Sequence, residues 1–507
     1  MLRLLPAIAI LIGLLNYSCS DDLFESSQST GDLEFSRDTV YLDTIFTNIS
    51  SRTRSFKVYN RSNNNISIPK VSLGKGESSF FRLNVNGSPG KVFENVEIFA
   101  RDSIYVFIEA TVDFNAVSDP LYTDQILFDQ GPNEQQVELV TLVQDAYFLY
   151  PERDSDGIKE TIVIGVGDDG EEIEVEGFYL DGNQVWTDEK PYVIYGFAGV
   201  NQGNQLVIEK GARVYFHRNS GLLVEKNGSL QVKGTRNQKV VFQGDRLEEI
   251  YSDIPGQWST ILLKSGSRDI KIEHAVIKNN SLGILVDSIV SNSEWAEQLD
   301  NIEIYNTSGF GVLARSTRML GSNLLITNNG SSSLALTEGG SYRLAHSTFA
   351  NYWSSAIRTL PAVLISNLNE VSQASSTNAA NTALIQADFE NCIIEGNQNI
   401  EFLLEKEEGS DFNFNFSHSL LRFDDPGGIF VGDPLYDFDN EDLYQNNIFN
   451  GTPDFLDIDL GDYHIGENSQ AILLGDPAIA EEFPFDLDGI DRRNTPDSGA
   501  YQHLIQE

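Results

Sequence analysis

Four short segments repeat in this chain, and the spacing between them limits what it can fold into. Ile277-Lys278-Asn279, Ile304-Tyr305-Asn306, Ile326-Thr327-Asn328 and Phe349-Ala350-Asn351 each place an apolar residue, a variable residue and an Asn in the same order. Successive Asn lie 27, 22 and 23 residues apart (279 to 306, 306 to 328, 328 to 351). A period in the low twenties carried by β-type strands belongs to a solenoid in which every turn is one coil of parallel strands. The Asn suits the sharp bend after a strand, because it tolerates left-handed backbone, and its amide can bond to the equivalent Asn one coil away. Asn279, Asn306, Asn328 and Asn351 are therefore expected to form a structural ladder. Alternation along the strands turns Ala275 and Ile277, Ile302 and Ile304, Leu324 and Ile326, Ser347 and Phe349 inward. It turns His274, Asn301, Asn323 and His346 outward.

The strands begin upstream of the repeat. Leu206 to Phe216, Leu222 to Gly234 and Lys239 to Phe242 are short apolar runs divided by two-residue polar turns, too closely spaced for helices. Between Leu33 and Ala146 the pattern differs: alternating runs such as Ser55 to Tyr59 and Ile104 to Ile108 are separated by Gly, Asn, Ser and Pro clusters. That spacing predicts an immunoglobulin-like β-sandwich without its disulfide. The fold class expected is all-β, a right-handed parallel β-helix preceded by this sandwich. The divisions are a signal peptide at 1–18, a flexible tether at 19–31, the sandwich at 32–150, an acidic connecting segment at 151–189, and the β-helix with a C-terminal cap at 190–507.

At the N-terminus, Arg3 precedes an apolar run from Leu4 to Leu15, the length of a signal-peptide core and too short to span a bilayer as a helix. Leu15-Asn16-Tyr17-Ser18-Cys19 resembles a bacterial lipobox, which implies a lipid on Cys19 and an anchored, exported protein. Ser20-Asp21-Asp22 resembles the short acidic signal of Bacteroidetes lipoproteins, which implies display at the outer membrane or cell surface. Cys19 and Cys392 are the only cysteines, so with Cys19 acylated no disulfide is available. Pro255-Gly256-Gln257-Trp258, the Asp454 to Ile472 region and the closing Asp486-Leu487-Asp488-Gly489, Arg492 and Pro496 to Tyr501 resemble the pectin-lyase-like β-helix lipoproteins of that group. In this resemblance Asp488-Gly489 belongs to a terminator of the open solenoid end.

Charge and composition narrow the function. A net charge of −41 repels nucleic acid, so no nucleic-acid partner is expected. No cofactor is expected either; Asp154-Ser155-Asp156-Gly157 and Asp168 to Glu172 look like fragments of a calcium loop but lack its full ligand set. The superfamily resembled includes pectate lyases and polygalacturonases, yet the coils show isolated Asp287 and Glu303 rather than acids stacked at one register. His274 and His346 lie about 14 Å apart, three coils at one strand spacing each. Catalytic residues are therefore not assigned. The expected function is a membrane-anchored lipoprotein whose non-catalytic β-helix binds polysaccharide or a surface protein. The alternative is a polysaccharide lyase or glycoside hydrolase acting on an acidic polysaccharide. Candidate ligand contacts are the loop aromatics Tyr251, Trp258, Tyr352 and Trp353 with Arg315, Arg343 and Arg358. Phe412, Phe414 and Phe416 read as a core stack, and Cys392 as an inert buried thiol.

Overall fold

The computed structural model describes residues 26–167, 170–287, 297–368 and 383–503. Cys19, Ser20, Asp21, Asp22 and the Asp168-Asp169 pair lie outside them. The chain divides into two compact units, Met1–Asp145 and Ala146–Glu507.

The first unit is a sandwich of two mainly antiparallel sheets. One is built on Ile66–Leu73, Leu121–Phe128, Gln135–Gln144 and Thr39–Phe46, the other on Arg54–Tyr59, Ser103–Ala110 and Phe81–Val85. Thr39–Phe46 pairs in parallel with the last strand, while its neighbours run antiparallel. Inward residues of both sheets, among them Val40, Phe56, Val58, Val106, Phe128 and Leu139, share one core. Part of the segment read as tether is tied down: Ser27 and Gln28 pair in parallel with Ile66 and Ser67.

The second unit is a parallel β-helix carried by a 26-stranded sheet. Each coil has three faces. The first runs through Phe197–Val200, Gly221–Val224 and Ile261–Leu263, and the second through Gln205–Glu209 and Ser229–Lys233. The third runs through Tyr192–Ile194, Arg213–Phe216 and Val240–Gly244. Within each face these strands pair in parallel with their counterparts one coil on. Later coils have such tight bends that one strand turns corners: Val312–Asn329 runs through all three faces, with Val312 paired to Ile284, Met319 to Glu297 and Leu325 to Thr348. The solenoid starts earlier than the sequence suggested. Tyr147–Leu149 pairs with the strand at Tyr192–Ile194, and Gly177 to Tyr179 with Phe197 to Gly199, so much of the 151–189 connector forms the opening coil. Its acidic residues hid this, because in a first coil the exposed side chains outnumber the inward ones.

Ala275, Ile277, Ile302, Ile304, Leu324, Ile326 and Phe349 all enter the central core, as the alternation required. Each of the Ile, Leu and Phe side chains contributes roughly 1.5–3 kcal/mol on burial. Phe412, Phe414 and Phe416 join the same core. Cys392 is buried and free, and burial pushes its thiol up to about 12.

Of the expected Asn ladder a single rung forms: the Asn279 amide donates to the Ser252 carbonyl while its Oδ1 has no partner, and the Asn306 amide donates to Asp253 rather than to Asn279. Asn279, Asn306 and Asn328 have φ of 63, 56 and 54°, and the Asn328 side-chain amide donates to Asn306 Oδ1. Asn351 departs from them: it is absent from the left-handed positions, and its Oδ1 accepts from the Asn329 backbone N–H at 3.1 Å. It belongs with Asn280, Thr307 and Asn329, a fully buried row one residue further along. The coil that leads to Asn351 has lost the left-handed residue, which a repeat read by triplets cannot register.

The solenoid end is closed differently from the resemblance. Phe423, Phe430, Tyr436 and Phe438 pack over the last coils with ring centroids 4.5 to 5.6 Å apart for Phe423–Tyr436, Phe430–Tyr436 and Phe423–Phe430. The residues after 454 then turn back and run along the outside of the third face. Leu487, Ala500 and Tyr501 pack on Leu325 and Ala350, while Ile465 and Ala471 pack on Ile393 and Leu420. Asp488-Gly489 is thus no end cap: the Asp488 carbonyl accepts from Arg236, 252 residues earlier.

Candidate functional site: a groove under the returning strap

From His274 onward, the coils bend between the second and third faces at a single left-handed residue. His274, Asn301, Asn323, His346, Asn391 and His418 occupy this position with φ of 46 to 56°. His and Asn are among the few side chains that tolerate such backbone, and stacked coils set them in a row. The Asn323 amide donates to Asn301 Oδ1 at 3.0 Å, and Asn391 Nδ2 lies 3.0 Å from His346 Nε2. The sequence placed this row on the outside, but the strap covers most of it. Asn323 Nδ2 donates to the Phe485 carbonyl at 2.9 Å, and Arg492 donates to Asn323 Oδ1 at 2.8 Å. Asn391 Oδ1 accepts from the Asp476 N–H at 2.7 Å. His346 is fully buried as a result, and Arg492 only 1% exposed.

Where the strap ends, the row stays open. A groove of about 550 Å³ lies there, lined on the coil side by Arg236, His274, Asp300, Asn301 and Asn323, and on the strap side by residues 482–486 and Gly489. One wall is polar and the other is apolar at Phe483, Pro484 and Phe485, with Phe485 51% exposed. Burial is the main cause holding the Asp300 carboxyl above its ordinary value, opposed by a bond from the Ser322 hydroxyl. Burial likewise lowers the His274 pKa and outweighs the opposing pull of Asp300 and Glu273. His274 Nδ1 is buried and has no bonding partner in the protein. The other two carboxyls of the groove are engaged. Glu482 accepts two bonds from Arg343, at 2.6 and 2.8 Å, and Asp486 accepts from the backbone N–H groups of Asp488, Ile490 and Gln502.

The contacts proposed from sequence are dispersed rather than gathered. Trp258 is 1% exposed, stacked at 4.2 Å on Phe216, with its indole N–H donating to the Lys278 carbonyl, so it is a core residue. Trp353 is buried too. Arg358 is inside the protein in an ion pair with Glu401, which removes it from any ligand. Tyr251 lies beneath the Arg246 guanidinium, 3.9 Å from ring centroid to charge, and Tyr352 packs on Phe455 and Tyr463. Arg315 is half-buried at the bend between the first and second faces. Only Arg343 bears on the groove, and it does so by fixing Glu482. Glu303 pairs with Lys239. Glu297, pushed up to about 8, and Glu395, to about 7, are raised chiefly by burial, and neither lines the groove.

Sequence reasoning found His274, Asn301 and Asn323 as one register but missed Asp300, Arg236 and the strap. Asn323 and Phe485 are 162 residues apart, and no local pattern links them. Asp300 had a signal, being the residue before a bend Asn in a strand that otherwise continues the solenoid.

In the second unit, fold and groove together define a parallel β-helix with a mixed polar and aromatic cleft. No family model and no curated protein matches the chain. Among solved structures, it is similar to the catalytic unit of a thermostable GH87 α-1,3-glucanase from Streptomyces thermodiastaticus, over 72% of this chain and 79% of that one, at 10% identity and a TM-score of 0.25. It is also similar to a family 123 glycoside hydrolase from Clostridium perfringens over 21% of this chain and 23% of that one, under a quarter of that protein's length, at 11% identity and a TM-score of 0.16. At these scores the strand pairing, and not the likeness, defines the fold.

Proposed function

We propose that this protein is a carbohydrate-binding β-helix lipoprotein of the Bacteroidetes surface type, anchored through Cys19 at the outer membrane or cell surface, with the strap groove as its ligand site. The observation that carries this reading is the groove's composition. An exposed Phe485 faces a wall of His274, Asp300 and Asn301, and sugars bind where a flat ring meets converging hydrogen-bonding groups. Binding is favoured over hydrolysis because a two-carboxylate mechanism needs a second free acid at about 5 to 10 Å, and Glu482 and Asp486 are already engaged. A second reading, cleavage of the bound chain, draws support from Asp300, a carboxyl in the groove that burial holds above its ordinary value, the direction a general acid needs.

The test is titration calorimetry of the full signal-free chain against a panel of neutral, amino and uronic oligosaccharides, with product analysis of each mixture. Binding that Phe485→Ala weakens, with no new chain ends, is the expected result. New reducing or unsaturated ends would move the assignment to the enzyme. Failure of every sugar to bind would refute the carbohydrate reading.

A further inference from the structure

The ends of the groove bear on which part of a sugar chain it can take. Strap and coils touch at both. At one end the Arg236 guanidinium donates to the Asp488 carbonyl at 2.7 Å, and the strap tip passes so close that a Cβ on Gly489 would collide with that guanidinium. Asp488 is held from its other side by His464, whose Nε2 is 2.9 Å from the carboxylate. At the other end the Asn323 amide donates to the Phe485 carbonyl at 2.9 Å, Arg492 donates to Asn323 Oδ1, and Asn323 and Arg492 are both buried. One coil further on, Arg343 ties the strap down again through Glu482. The 234–239 turn that carries Arg236 and the bend at Asn323 are three coil steps apart, about 14 Å at one strand spacing each. Between these crossings the strap is no free lid. Phe485 bridges to Asp491, the Gly489 N–H donates to the Asp486 carbonyl, and the Asp486 carboxylate accepts from the backbone of Asp488, Ile490 and Gln502.

Resting on the carbohydrate reading above, we infer that the groove is a chain-end site, which takes the terminal sugar or disaccharide unit of a glycan and excludes the interior of the chain. A polymer running along the row of bends would have to pass Arg236 at one crossing and Asn323 at the other, where strap and coil atoms are already in bonding contact. The coils form one wall and the strap the other, so a glycan enters through the open side with its end first. The volume of about 550 Å³ lies within the roughly 300–1,000 Å³ of sites that enclose a small molecule, which suits a short terminal unit and not a run of many sugars. Phe485 takes the apolar side of that terminal ring. Asp300 and Asn301 on the facing wall then meet the hydroxyl that a chain end leaves free and that every interior sugar has given up to a glycosidic bond. Arg236 is exposed, and its side chain alone makes the first crossing, so this residue decides whether that end of the groove is blind.

The experiment is calorimetry on the full signal-free chain with the dimers and hexamers of glucose, glucosamine and galacturonate, and with soluble amylose, chitosan and polygalacturonate at constant mass before and after partial acid hydrolysis. For the sugar that binds, dimer and hexamer are expected to agree within about threefold in Kd. Hydrolysis of its polymer is expected to raise the binding equivalents per gram in proportion to the new reducing ends. Arg236→Ala, with folding checked by thermal melting, opens the first crossing and should create a preference for the hexamer that the natural chain lacks. A hexamer bound about tenfold or more tighter than the dimer by the natural chain, binding equivalents that hydrolysis leaves unchanged, or an unaltered dimer-to-hexamer ratio in Arg236→Ala overturns the inference while leaving a carbohydrate site. Sugar binding that Phe485→Ala does not weaken lies elsewhere and overturns it as well. No binding of any sugar takes down this inference together with the carbohydrate reading.

Discussion

Replacing Asn328 or its neighbour Asn329 tests the coil register from which every face of the β-helix is assigned. Asn328 sits at φ 54° and donates its amide to Asn306; it is only half-buried. Val there brings a β-branched side chain into left-handed backbone, which costs about 1–2 kcal/mol, and removes a bond worth about 0.5–1.5 kcal/mol. The sum is roughly 1.5–3.5 kcal/mol. Asn329 was the natural neutral control from sequence, but it is fully buried, and its amide donates to Thr307 Oγ1 at 2.8 Å. Its backbone is ordinary extended strand, its Oδ1 has no partner, and Val suits a strand. Asn329→Val therefore costs about 1 kcal/mol, the lost bond offset by removal of an unsatisfied oxygen. The decisive third variant is Asn328→Gly, which loses the same amide without the strain and should recover about 1 kcal/mol over Asn328→Val. No Trp occurs in residues 1–145, so Trp fluorescence during urea unfolding does not report the sandwich, and Trp186, Trp258 and Trp353 report the second unit. If Asn328→Gly is as damaging as Asn328→Val, the left-handed bend is not where the register puts it, and the assignment of groove-facing residues fails with it.

Two further outcomes are expected. Cys19→Ala should move the protein from the membrane fraction to the soluble fraction, because the lipid is the proposed anchor; retention in the membrane refutes the lipoprotein assignment. His464 lies between Asp462 Oδ1 at 2.6 Å and Asp488 Oδ2 at 2.9 Å, and although burial pulls its pKa down, the bonds to Asp488 and Asp462 hold it above the ordinary value. A raised folded pKa stabilises below the unfolded value of about 6.5 and loses that contribution as pH rises through the folded value, so protease cleavage of the strap should increase from about pH 6 to pH 8 and His464→Gln should flatten the change; an unaltered profile refutes the clasp.

The parts of this molecule that were legible in the sequence are those in which a residue's role follows from its immediate neighbours. Ile277, Ile304 and Ile326 point inward because strands alternate, and Asn306 and Asn328 bend the chain because few other side chains accept that backbone. Asn351 looked equivalent by its triplet, yet it joined the adjacent row, since a single residue lost from a coil leaves the triplet intact while moving the amide. Trp258 and Arg358 misled for a related reason: residues that follow a turn look exposed in one dimension, and here the first fills the core beside Phe216 while the second neutralises Glu401.

The groove was beyond sequence because it comes from a return of the chain. A solenoid by itself offers only repeated faces, and its bend residues form a uniform row with no preferred point along it. The strap breaks that uniformity by spending its own backbone and side-chain groups on the row, from His418, whose carbonyl accepts from Ser498, back to Asn323. It leaves His274, Asp300 and Asn301 uncovered beside Phe485. The same polar row thus serves two purposes: under the strap its amides fix the chain end, and beyond the strap the same kinds of group are presented to solvent. A ligand in the groove would continue the contacts that the strap already makes with the protein's own peptide groups, which is why the site has a fixed position on an otherwise repetitive surface.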